Sequence, residues 1–122
     1  MTTDSSPGSS GEVQQLLRQG YAELRRGNTS SAAGLCQQVL QIKPDLVPGH
    51  FLVGLVALEA NERKTAFSAF QSVVKLDRDH AAAWAHLARL HMSEGQVNRA
   101  DAALRETLRI KPDDPLVLDL IG

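Results

Sequence analysis

Apolar residues return along this chain at helical spacing, in segments separated by short polar turns. Val13, Leu16, Leu17, Gly20, Tyr21 and Leu24 lie three or four apart, which gathers them on one face of a helix. Ser9 and Glu12 have the capping-box spacing ahead of that stripe, so the first helix is expected to start there. Gly27 is expected to end it, because glycine adopts positive φ without a Cβ penalty. A second helix, capped by Asn28 or Thr29, is predicted over 30–43, since Pro44 disfavours helical geometry in the residue before it. The pattern then restarts twice. Asp45 is expected to cap a helix over 47–60, Asn61 stands where Gly27 stood, and a fourth helix follows over 63–76. Asp79 opens the next pair, over 81–94 and 97–111, with Gly95 between them and Pro112 after. Asp113 or Asp114 would then cap a short last segment with Pro115 in its first turn, where proline's missing N–H costs nothing. The expected sum is seven helices, the last one short.

The restarts keep a fixed interval. Gly27, Asn61 and Gly95 are 34 residues apart, as are Ala32, Ala66 and Ala100, and Ile42, Leu76 and Ile110, while Pro44 and Pro112 stand two intervals apart. An array of one supersecondary unit buries its apolar faces by stacking on its neighbours and presents a continuous surface rather than an enclosed cleft, which points to binding. Residues 1–9, rich in Ser, Thr, Gly and Pro, predict a flexible tail. Residues 10–122 are expected to form one domain with repeats at about 13–46, 47–80 and 81–114 and a partial fourth unit or capping helix at 115–122.

A pair of helices in a 34-residue period resembles the tetratricopeptide repeat. The third unit matches its pattern best, with Trp84, Leu87-Ala88, His91, Ala100, Leu104 and Pro112 at the family's spacing and His91 in place of the usual tyrosine. The second unit reads His50, Val53-Gly54, Ala57, Ala66, Phe70 and Arg78, so its first slot and its proline depart. The first reads Leu16, Gln19-Gly20, Glu23, Ala32, Cys36 and Pro44, with polar residues where a solvated end repeat would carry them. The resemblance implies an all-α fold of three helix-turn-helix repeats stacked as a right-handed superhelical solenoid, plus a short seventh helix. Gly20, Gly54 and Ala88 are expected to face Ala32, Ala66 and Ala100, and Cys36, Phe70 and Leu104 to fill each repeat's core. Leu116 to Ile121 make a poor solvent cap, so the array is expected either to continue into a longer protein or to end in a short docked helix.

The resemblance also implies a binding surface, the concave side formed by the first helix of each repeat. The residues expected there include Leu17, Tyr21, Leu24, Arg25, Phe51, Leu55, Leu58, Arg89 and Met92. Most are apolar, which suits an apolar peptide or amphipathic helix, or alternatively packing between repeats or a covering by another part of a longer protein. The Lys and Asn set with which some relatives clamp a chaperone's terminal carboxylate is missing: Leu17, Tyr21, Leu52, Ala82 and His86 occupy those slots. Leu35-Cys36-Gln37-Gln38-Val39-Leu40, then Lys43-Pro44-Asp45 and His50 to Glu59, resemble arrays that precede bacterial sulfotransferase and glycosyltransferase domains. The alternative functions are therefore the N-terminal region of such an enzyme, or a scaffold that self-associates through 116–121.

Composition removes several other classes. A net charge of −1 over 122 residues offers no field for nucleic acid or an anionic membrane. The first residues lack the basic start and apolar core of a signal peptide, which makes the cytoplasm the default location. Cys36 is the only cysteine, so no intrachain disulfide forms, and it lacks the basic neighbours of a reactive thiol. His86 and His91, five apart, fall on different sides of a helix and suit no metal. His50 and His80 read as satisfied structural histidines, and Asp77, Asp79, Asp113 and Asp114 as caps rather than calcium ligands. With no glycine-rich phosphate loop and no catalytic constellation, neither cofactor nor chemistry is expected.

Overall fold

The computed structural model describes residues 10–112, and every regular element among them is an α-helix: α1 (Ser10–Arg25), α2 (Thr29–Ile42), α3 (Val47–Glu59), α4 (Arg63–Leu76), α5 (Ala81–Ser93) and α6 (Val97–Ile110). These bounds lie within one or two residues of the sequence expectation. The flexible tail, the Ser9 half of the capping box, the seventh helix and the apolar end at 116–121 fall outside the described residues.

One backbone device repeats at each hairpin. Gly27, Asn61 and Gly95 all take left-handed φ, at 80°, 60° and 73°. At each, the next residue's N–H returns to a carbonyl five residues back, Asn28 to Glu23 and Glu62 to Ala57 and Gln96 to His91, at 2.8–2.9 Å. The left-handed residue itself bonds to the carbonyl three back, so the last carbonyls of α1, α3 and α5 are satisfied as in a Schellman turn. Asparagine tolerates this conformation better than other side-chain-bearing residues, which explains Asn61 in a glycine column.

The start signals are less regular than expected. Asn28 does occupy the cap of α2 but makes no side-chain cap bond; its Nδ2 donates to Glu23 Oε1 at 2.8 Å instead. Leu46, not Asp45, caps α3, again without a side-chain bond. His80, not Asp79, caps α5, its Nδ1 accepting from the Ala83 N–H at 3.2 Å. Asp77 accepts from the Asp79 N–H in a turn, and the Asp79 carboxylate pairs with Arg109 at 3.1 Å. The turn geometry presents the residue after each aspartate to the helix start.

The chain divides into two compact units, at Ala66/Phe67 within α4. In the first, α1 packs on α2, and α3 packs on both. Ala32, Cys36, Leu52 and Val56 form its core, against which Leu17, Tyr21, Leu24 and Val53 lie partly covered. At Gly20 a Cβ would stand 2.6 Å from Leu52 Cδ2 and 3.8 Å from Leu35 Cβ, so the glycine makes room for α3 as well as for α2. Gly49 makes similar room for α3 against α2: a Cβ there would stand 2.9 Å from Leu40 Cδ2 and 3.1 Å from Val39 Cγ1.

In the second unit α5 packs on α6. Phe70 of α4 is fully buried and stacks on His86, with ring centroids 4.7 Å apart, while Phe67 meets the His91 ring edge-on at 5.0 Å. Cys36 and Phe70 are buried as expected, but Leu104 is only half-buried. Thr107 takes the position held by buried Val39 and Val73 in the earlier repeats, its hydroxyl satisfied by donating to the Ala103 carbonyl at 3.0 Å.

Candidate functional site

Three positions of each first helix, spaced four and then three residues apart, share a face. On α1 they hold Leu17, Tyr21 and Leu24, and on α3 Phe51, Leu55 and Leu58, all six half-buried. The α1 trio rests on the core of the first unit, so its members contribute to packing as well as to surface. Burial raises the pKa of the Tyr21 phenol, with the nearby Cys36 thiol adding to the effect, so the strip around it is neutral at physiological pH. Arg25 is exposed at the end of α1. In the second unit the corresponding positions on α5 are Ala85, fully buried, and Arg89 and Met92, both exposed, with Met92 at 46%.

The chaperone-clamp positions carry no set of cations. Leu52 is fully buried and the His86 ring lies against Phe70, as given above. The other histidines are engaged too. His91 Nδ1 is 2.8 Å from Gln96 Oε1, and His50 Nε2 donates to the Pro44 carbonyl at 2.7 Å.

That last bond shows an equivalence the sequence concealed. Trp84, one repeat later, donates from Nε1 to the Arg78 carbonyl at 2.8 Å, also six residues back. His50 thus replaces the signature tryptophan while keeping its ring N–H and its acceptor. The shared 34-residue column was the available signal, but residue identity alone marks His50 as a departure.

Cys36 is buried, and loss of hydration pushes its thiol up to about 11, far from the range of a nucleophile. Among the described residues no three His, Cys, Asp or Glu side chains are grouped to hold a metal, and no helix is long and apolar enough to cross a membrane.

The tetratricopeptide repeat family model matches residues 57–122, more than half of the chain. No curated protein matches the sequence. Among solved structures, the chain is similar to MamA, with 23% identity and a TM-score of 0.76 over 82% of this chain and 58% of that one. It is similar to an O-GlcNAc transferase variant of Thermobaculum terrenum, with 28% identity and a TM-score of 0.79 over 93% of this chain and 21% of that one. The first tetratricopeptide domain of Spaghetti (RPAP3), solved bound to the HSP90 peptide SRMEEVD, has 13% identity and a TM-score of 0.86 over 93% and 90%. The chain therefore spans little more than half of MamA and about a fifth of the transferase. The three left-handed turns at one interval, the ring N–H bonds repeated at the same interval and the family match converge: this chain belongs to the tetratricopeptide repeat family.

Proposed function

We propose that the chain is a non-catalytic protein-interaction module that holds an apolar peptide segment or amphipathic helix against α1 and α3. The observation that carries this reading is the strip of Leu17, Tyr21, Leu24, Phe51, Leu55 and Leu58, all only half-buried. Covering a Leu or Phe fully gains roughly 1.5–3 kcal/mol, so several half-covered side chains in one strip leave a substantial gain for a partner. Arg25, Arg89 and Met92 are further candidates, each exposed within its own unit. The Spaghetti domain shares the fold and was solved with a peptide, which supports peptide binding as a class. Its ligand ends in acidic residues, whereas the strip here is neutral, so the ligand chemistry differs.

A displayed-peptide library is the direct test. The wild-type chain enriches apolar segments, and Leu55→Glu loses them while helicity and melting stay nearly unchanged. Capture that survives Leu55→Glu overturns the reading.

The 28% identity to the transferase over nearly the whole of this chain favours a second reading, the repeat region of a larger enzyme. Sequencing the complete reading frame decides it: a catalytic domain joined to the repeats supports it, and a frame without one removes it. Self-association through 116–121, outside the described residues, is tested by sedimentation over a concentration series, where a strict monomer excludes it.

A further inference from the structure

We propose that the second unit carries a separate docking site, a basic cleft that takes an acidic protein segment bearing an apolar side chain. A cavity of about 400 Å³ opens between α4, α5 and α6, with Trp84 and Leu87 among its apolar lining and Lys75, Arg78 and Arg99 among its polar lining. All three cations are exposed, and none makes an ion pair among the described residues. Glu106 is the one carboxylate on the wall, and Arg109 already holds it with two nitrogens at 3.1 Å. The cleft is therefore locally positive on a chain whose net charge is −1.

The repeat does not require these charges. One interval earlier, the positions of Lys75, Arg78 and Arg99 hold Gln41, Pro44 and Thr65. Arg99 moreover lies in the first turn of α6, which has no acidic residue, although the helix dipole disfavours a cation there. A carboxylate placed beside it is attracted by both the guanidinium and the helix terminus.

The apolar lining selects among anions. Leu87 is buried and Trp84 half-buried, and the indole N–H is committed to the Arg78 carbonyl, so the cleft offers an aliphatic side chain a seat rather than another hydrogen bond. A polyphosphate backbone would meet the three cations and leave that seat empty. An acidic segment with a Leu or similar residue among its carboxylates fills both parts.

Trp84 is the only tryptophan of the chain, so its fluorescence reports on the cleft directly. The full chain is titrated with the peptide acetyl-Glu-Asp-Leu-Glu-Asp-amide and with its amide counterpart, acetyl-Gln-Asn-Leu-Gln-Asn-amide. The acidic peptide gives a saturable change that weakens with added salt, and Arg99→Glu and Lys75→Glu each weaken binding roughly tenfold or more. Both positions are exposed, and circular dichroism confirms that each variant folds. Leu55→Glu leaves this titration unchanged, which separates the cleft from the apolar strip whatever becomes of that strip. The proposal is overturned by no saturable change, by equal binding of the amide peptide, by indifference to both charge reversals, or by an oligothymidylate that competes as well as the peptide does.

Discussion

The two units put different chemistry on the same frame. On α1 and α3, in the first unit, three corresponding positions hold Leu17, Tyr21 and Leu24, then Phe51, Leu55 and Leu58; on α5, in the second, they hold Ala85, Arg89 and Met92. The contrast reverses elsewhere, where the second unit carries Lys75, Arg78 and Arg99 and the first carries Gln41, Pro44 and Thr65. The cores diverge as well: Cys36 lies with Leu52 in one, and Phe70 stacks on His86 sixteen residues later in the other. Both units thus keep the turns, the small residues and one ring N–H donor, and differ in the volume of the core filler and the charge of the surface. Binding chemistry is a property of a unit here.

The core difference offers the largest test. Phe70→Ala removes a fully buried ring and is expected to cost about 3–5 kcal/mol in a urea melt, whereas Cys36→Ala, at the corresponding position, deletes a single sulfur and costs well under that. Similar losses would show that the two cores depend equally on this slot. Alkali probes the same pair through charge. The folded Cys36 thiol is raised to about 11, so as pH climbs from the usual thiol range the unfolded chain loses its proton first and stability falls, by at most roughly 1.4 kcal/mol per pH unit. Below that range the contribution is fully present. Thermal melts across this interval check the slope, and Cys36→Ala should reduce it, leaving the share of the Tyr21 phenol that burial also raises.

The turns are expected to behave alike in both units. Gly27→Ala and Gly95→Ala each place a Cβ at positive φ and should cost about 1–2 kcal/mol, while Asn61→Gly is neutral or stabilising. The ring donors give a smaller matched pair. His50→Phe and Trp84→Phe each remove one hydrogen bond to a carbonyl, about 0.5–1.5 kcal/mol, and His50→Trp should retain it. At the weak end, Asp79→Asn breaks a solvent-exposed pair with Arg109 and is expected to leave the melting temperature unresolvably changed.

Much of this is legible in the amino-acid sequence. Helix bounds followed from Gly27, Asn61, Gly95 and Pro44, because left-handed turns and proline act through local sterics that a chain carries wherever it goes. The caps were less legible: Asn28, Asp45 and Asp79 have the right chemistry, but the turn decides which residue meets the free N–H groups, and Leu46 and His80 were delivered instead. Spacing marks Gly20 as a point of close approach, but that Leu52 of α3 is its nearest neighbour comes only with packing, since spacing along a helix gives a face and not the neighbour on it.

The candidate surfaces divide along the same line. The sequence by itself determined the family, the period and the apolar identity of the strip, because these depend on residue type and on a periodicity set by backbone geometry. Only tertiary structure revealed that Leu17, Tyr21 and Leu24 also lean on a core, that His50 does the work of a tryptophan, and that Lys75, Arg78 and Arg99 surround one cavity with Trp84. Those residues come from three helices and the turn between α4 and α5, and lie up to 24 positions apart. Nothing in the chain's local chemistry relates them until packing brings their helices together.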